Sequence, residues 1–152
     1  MNHSTFEVRA GDPNDPGVHE LLEALSETLA SITGRDGKNS FAYGDVNHPG
    51  SVFLIAYQGV KPVGCGAIRP INEQVCELKR MYAHESGRGI GSRILEELER
   101  HAKSLGYLCI WLETGIQNER AQTFYLNRGY RTRENYGKYI GRRECVCFEK
   151  QI

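Results

Sequence analysis

The chain has 152 residues, 39% of them apolar and 25% charged, and Lys plus Arg balances Asp plus Glu at 19 each. A chain of this size is expected to form one domain, residues 1–152, with a substantial core. Zero formal net charge argues against a nucleic-acid or anionic-membrane partner, and no apolar run approaches the roughly 20 residues of a spanning helix.

The late cluster of Arg131, Arg133, Lys138, Arg142 and Arg143 reads as a solvated basic face. The N-terminus lacks the apolar stretch of a leader. The five cysteines are odd in number, contain no Cys-x-x-Cys and mostly lie in apolar runs. Small buried hydrophobes in a reducing compartment, hence the cytoplasm, are expected. The histidines show no ligand spacing with them, so no metal is expected.

In chain order, residues 5–9 alternate as a first strand. Asp15 and Pro16 offer a helix N-cap and first helical position. Val18, Leu21, Leu22, Leu25, Leu29 and Ile32 follow at helical spacing. Residues 33–50 form a long Gly-, Asn- and Asp-rich stretch, a length more usual in functional loops. Residues 51–57 and 62–69 read as a hairpin turning at Gly59 and Val60. Residues 74–82 are the next strand. There Leu78 and Met81 are three apart, which breaks alternation, and a β-bulge near Arg80 would return both to one face.

A helix from Gly89 follows, with Ile90, Ile94, Leu95, Leu98 and Ala102 on its apolar face, stopping around Gly106. Strand 108–112, a short helix 119–127 ended by Gly129, and strands 130–133 and 144–150 complete the chain. The order predicts an α/β fold: a mixed sheet covered by helices on both faces.

Between the strand and the helix lies Ser86-Gly87-Arg88-Gly89-Ile90-Gly91-Ser92. The first turn of a helix carries N–H groups without intrahelical partners and partial positive charge. Glycines there let an anion approach closely, so the stretch reads as a phosphate cradle. A P-loop would need Gly-Lys-Ser/Thr after its spacer. A dinucleotide fingerprint would need glycine where Ser92 or Ile94 stands. Neither fits.

The segment Asn118-x-x-Ala121-x-x-x-Tyr125-x-x-x-Gly129-Tyr130 resembles a signature of the GNAT acetyltransferases, and every position of it is met. The loop at 86–91 resembles that family's Arg/Gln-x-x-Gly-x-Gly/Ala, with Ser86 replacing the basic or amide residue. Glu77-Leu78-Lys79-Arg80-Met81-Tyr82 resembles the strand before it, with Ala83 where Val is common. The resemblance spans roughly residues 59–130, and family-like features continue to the end. It implies the GNAT fold, with a splayed sheet, and acetyl transfer from acetyl-CoA as co-substrate to an amine of a small molecule or peptide. A non-catalytic acyl-CoA sensor of the same fold is the alternative. Homodimers are common in the family, although no stretch here requires one.

The resemblance also implies site residues. Acetyl-CoA would meet Gly87, Arg88, Gly89, Ile90, Gly91 and Ser92 through its diphosphate. Its pantetheine arm would meet Met81, Tyr82, Ala83, Asn118 and Ala121. A backbone N–H at Met81 or Tyr82 would hold the oxyanion. Tyr125 would protonate the leaving thiolate, the thiol having a pKa of about 8.5 by analogy with cysteine. Glu77 is the first candidate base for the acceptor ammonium, and Glu113 the second. Asn118 also reads as a helix N-cap. Tyr43, Tyr136 and Tyr139 are candidates to line the acceptor pocket.

Overall fold

The alternating and continuous apolar runs pair into one seven-stranded sheet, ordered β1-β2-β3-β4-β5-β7-β6. The computed structural model describes residues 5–11, 18–24, 27, 48–83 and 89–152. The strands are β1 (Glu7–Ala10), β2 (Val52–Gln58), β3 (Lys61–Pro70), β4 (Val75–Ala83), β5 (Cys109–Gly115), β6 (Arg131–Arg133) and β7 (Cys145–Gln151). Residues 18–24 and 27 are helical and are called α1; α2 (Ile90–Ser104) and α3 (Glu119–Leu126) follow later. A 3-10 turn spans Gly137–Tyr139. The expected cap at Asp15 and Pro16, most of loop 33–50, Tyr43 and the loop residues Ser86, Gly87 and Arg88 lie outside the described residues.

Neighbouring strands are antiparallel except β4 and β5, which run parallel and are joined through α2. One face of the sheet packs on α2, whose Ile90, Ile94, Leu95, Leu98 and Ala102 are all buried. These are the five apolar positions expected from a 3.6-residue period. The opposite face carries two separate clusters. Val18, Leu21 and Leu22 of α1 cover Phe53, Ile55, Cys65 and Ala67. Tyr136, Tyr139, Cys145 and Cys147 gather under Trp111 at the other end. All five cysteines are buried and free, consistent with their apolar contexts. Among the described residues no helix is long and apolar enough to cross a membrane.

The expected bulge is present. Cys65 faces Tyr82 and Ala67 faces Lys79, so Arg80 and Met81 together oppose Gly66. Arg80 takes φ 58°, a left-handed conformation that costs a side-chain-bearing residue about 1–3 kcal/mol. The result is a change of phase: Cys76, Leu78, Met81 and Ala83 all face α2, whereas Tyr82 faces the α1 side. Gly66 leaves room for this arrangement. A Cβ there would lie 2.5 Å from Met81 Sδ and 2.9 Å from both Ile94 Cγ2 and Leu98 Cδ1. Gly66→Ala is therefore expected to lose about 1–3 kcal/mol of stability through overpacking, read as a lower urea midpoint at unchanged slope. An unchanged midpoint would show that α2 does not bear on the bulge.

Candidate active site

The site is built where the sheet opens. The β4–β5 ladder holds Val75↔Cys109, Cys76↔Ile110 and Glu77↔Trp111, and ends there. Both strands continue, to Ala83 and Gly115. A gap therefore borders residues 78–83 on one side and 112–115 on the other. The bulge lies on this stretch, and Cys65 braces it by donating its thiol hydrogen to Arg80 O at 3.1 Å. Burial pushes the Cys65 thiol up to about 12, with the Arg80 charge acting against it, so the thiol keeps the hydrogen it donates.

Helix α2 begins beside the gap. Gly89 caps it at φ 78°, with no side-chain cap and no acid in the first turn. The first ladder bond beyond the cap is Arg93 N–H to Gly89 O, 3.0 Å. The amides of Ile90, Gly91 and Ser92 come before it and have no intrahelical acceptor. Helix α3 starts nearby. Asn118 Oδ1 accepts from Ala121 N–H at 3.2 Å, which is the capping role expected of it. Arg128 ties the two helices together. Its Nε donates to Ser92 Oγ at 3.0 Å, Nη2 reaches the same oxygen, and Nη1 donates to Phe124 O at 2.9 Å. The guanidinium also lies 3.8 Å from the Phe124 ring centroid. This cation, 36 positions from its partner serine, had no signal in local sequence.

Tyr125 enters the core from α3. Its ring meets Phe124, Tyr130 and Phe148 at 5.1, 5.5 and 6.4 Å between centroids. Burial pushes its phenol above the ordinary range, only partly opposed by Arg128, so its proton stays on at neutral pH. On β5, Thr114 Oγ1 is buried without a hydrogen-bond partner among the described residues. It lies beyond the last β4–β5 pair, a polar atom left to be satisfied where the strands part.

The closed end of the gap, at the last β4–β5 pair, carries a buried charge network. Glu77 is 3% exposed. Its Oε1 accepts from Arg69 Nε at 2.9 Å, and its Oε2 from the Tyr136 hydroxyl at 2.6 Å. Lys79 Nζ lies 3.5 Å from the same Oε2 and donates to the Tyr139 hydroxyl at 2.5 Å. Burial lowers the Lys79 ammonium from its ordinary value; Glu77 and Glu113 oppose that, and Lys138 and Arg69 reinforce it. Burial and then the Glu77 carboxylate raise both phenols. Tyr136 and Tyr139 are thus buried struts, with their hydroxyls engaged by β4, rather than an open lining. Glu113 is half-buried on β5, opposite Cys147. The late basic cluster divides: Arg131 and Arg133 pair with Glu149 at 3.0 and 3.3 Å, while Lys138, Arg142 and Arg143 are exposed.

The model of the acetyltransferase (GNAT) family matches residues 18–130, which includes the gap, both helix starts and Tyr125. The chain belongs to the GNAT family. A GNAT relative described as an IAA acetyltransferase, from Azospirillum brasilense, is 31% identical over 130 residues, 84% of this chain and 85% of that protein. A crystal structure of a putative acyl-CoA N-acyltransferase from Klebsiella pneumoniae superposes with a TM-score of 0.81 at 26% identity, covering 97% of this chain and 98% of that one. The PaiA N-acetyltransferase of Thermoplasma acidophilum, solved in complex with coenzyme A, shares the fold at a TM-score of 0.77 and 20% identity, covering 97% and 99%. The family and the fold that the resemblance implied are thereby shown.

Proposed function

We propose that this protein transfers the acetyl group of acetyl-CoA to a primary amine, by direct attack within a ternary complex. The observation that carries the reading is the parting of β4 from β5 after Glu77↔Trp111, between the starts of α2 and α3. The residues suit the co-substrate. Amides of Ile90, Gly91 and Ser92 have no intrahelical acceptor and suit the diphosphate. The β4 edge at Met81, Tyr82 and Ala83 suits an amide-rich pantetheine arm added like a strand. Asn118 and Ala121 lie at the start of α3.

The roles follow from chemistry. The acceptor nitrogen attacks the carbonyl carbon, the new C–N bond forms, and the C–S bond breaks. A backbone N–H at Met81 or Tyr82, on the bulged strand, stabilises the oxyanion. Tyr125 gives its proton to the departing sulfur. The ammonium must lose a proton first, which for a lysine-like amine costs roughly 4–5 kcal/mol at pH 7. Glu77 serves this step through the Tyr136 hydroxyl that it binds at 2.6 Å, since both its oxygens have protein partners. Glu113 is the second candidate.

The test couples binding to turnover. Calorimetry is expected to show acetyl-CoA binding, with NAD and ATP failing to compete. Acceptor-dependent CoA release should be matched by a product heavier by one acetyl group. Binding of NAD or ATP in place of acetyl-CoA would overturn the reading. So would acetyl-CoA binding with no acetylated product from any class of amine.

A further inference from the structure

We propose, building on the acetyltransferase reading, that Arg128 is a positioning residue for the co-substrate: its guanidinium fills the acceptor sites of the Ser92 hydroxyl and so leaves Ser92 a donor for the diphosphate. The place is the contact between the end of α3 and the first turn of α2.

That contact is close. A Cβ added at Gly91 would lie 3.5 Å from Phe124 Cε1 and Cζ, so the start of α2 already rests on that ring. Arg128 follows α3 and is held from its own side. Its Nη1 donates to Phe124 O at 2.9 Å, a carbonyl in the last turn of α3, where the helix dipole favours a cation. The guanidinium also lies 3.8 Å from the Phe124 ring centroid, a cation–π contact. A planar fork pinned in this way loses little freedom when it binds a further oxygen.

The rest of the fork is directed at one atom. Nε donates to Ser92 Oγ at 3.0 Å, and Nη2 donates to the same oxygen. A hydroxyl has two acceptor sites and one hydrogen to give. With both acceptor sites filled, the bond left to Ser92 is the one it donates. Among the described residues that hydrogen has no acceptor. Accepting from a cation also makes the hydroxyl a stronger donor, because linked hydrogen bonds polarise one another. Ser92 shares its turn with the amides of Ile90 and Gly91, which have no intrahelical acceptor. Hydroxyl and amides together offer donors, which is what an anion needs.

The charge of Arg128 is available as well. Its hydrogen-bond partners, a hydroxyl and a carbonyl, are neutral. Glu96 and Glu99 line a cavity of about 230 Å³ together with Ser92, Leu95, Arg128 and Lys150. Glu99 is engaged by Lys150 at 3.1 Å and by the Tyr130 hydroxyl at 2.8 Å. The cavity sets two acids against two cations and so offers a phosphate no net attraction. The first turn of α2 contains no acid, so the amide side is the better seat.

The experiment uses the full chain and measures Kd by calorimetry for acetyl-CoA and for acetyl-dephospho-CoA, which keeps the diphosphate and lacks the ribose 3′-phosphate. Ser92→Ala and Arg128→Gln are each expected to weaken acetyl-CoA binding about tenfold, the scale of one hydrogen bond to a charged group. The double variant should match either single one rather than fall about a hundredfold, because Arg128 acts through the hydroxyl that Ser92→Ala removes. The losses should be the same with acetyl-dephospho-CoA. Arg128→Lys should resemble Arg128→Gln, since a point charge cannot fork onto the hydroxyl. In steady-state kinetics the Ser92→Ala loss should fall on KM rather than on kcat; a bond that merely held α3 in place would, once broken, displace Tyr125 and lower kcat. Alanine suits a helix, so Ser92→Ala keeps the question open to test even where Arg128→Gln fails to fold. Full binding by Ser92→Ala or by Arg128→Lys, additive losses in the double variant, a loss confined to the 3′-phosphorylated co-substrate, or a Ser92→Ala loss that falls on kcat would each overturn the proposal and leave the acetyltransferase reading standing. Failure of the unaltered protein to bind acetyl-CoA would overturn both.

Discussion

Tyr125→Phe is expected to lower kcat by about 10²- to 10⁴-fold, the usual contribution of a placed general acid, with the Kd for acetyl-CoA little changed. The substitution removes one oxygen and keeps the ring, and the ring makes the contacts with Phe124, Tyr130 and Phe148. Fold and binding should therefore survive. The raised phenol pKa works against a proton donor, because the thiol it must supply has a pKa of about 8.5 in water. A thiolate leaving in an equally desolvated place would have its proton affinity raised too, which would bring the two affinities closer and make the transfer less uphill. Steady-state kinetics with calorimetry decides the matter. A kcat near that of the unaltered protein would remove Tyr125 from the chemistry and leave it a packing residue.

What was legible in the sequence was local. The buried face of α2 follows from a period that five residues repeat, and the bulge follows from the odd spacing of Leu78 and Met81, because a strand must keep its apolar set on one face. The Asn118 cap is a short-range signal as well. Strand β5 was expected to end at residue 112 but runs to Gly115, because Glu113, Thr114 and Gly115 pair with Cys147, Val146 and Cys145. Long-range pairing there overrides weak local preference. The charge network was not legible. Tyr136 and Tyr139 sit 59 and 60 positions from the β4 residues they bind. They arrive only because β7 inserts between β5 and β6 and carries the preceding turn over the sheet. Tyrosines in a Gly-rich stretch read as an open pocket wall; the hydroxyl contacts to β4 make them supports. Asn135 fixes that turn from within, with Nδ2 3.0 Å from both Tyr139 O and Arg142 O.

The second large effect concerns Glu77. Glu77→Ala is expected to cost about 3–5 kcal/mol of stability, the range for removing one member of a buried ion pair. The carboxylate side chain is 4% exposed and Lys79 is 8% exposed, so water cannot readily replace the lost partner. Arg69 Nε, the Tyr136 hydroxyl and Lys79 Nζ would all lose an acceptor at once. The strut that holds residues 136–139 over the gap would loosen with them. Glu77→Gln separates this structural part from catalysis. The amide keeps the volume and one acceptor oxygen, so Tyr136 or Arg69 can remain bound and the loss should be smaller. If Glu77 takes the acceptor's proton by way of Tyr136, the folded Gln variant should lose kcat and change the shape of its pH–rate profile, and Tyr136→Phe should reproduce both. A Gln variant that is less stable but keeps the original profile would assign Glu77 wholly to holding the network, and would pass the base role to Glu113 or to an amine already neutral on arrival.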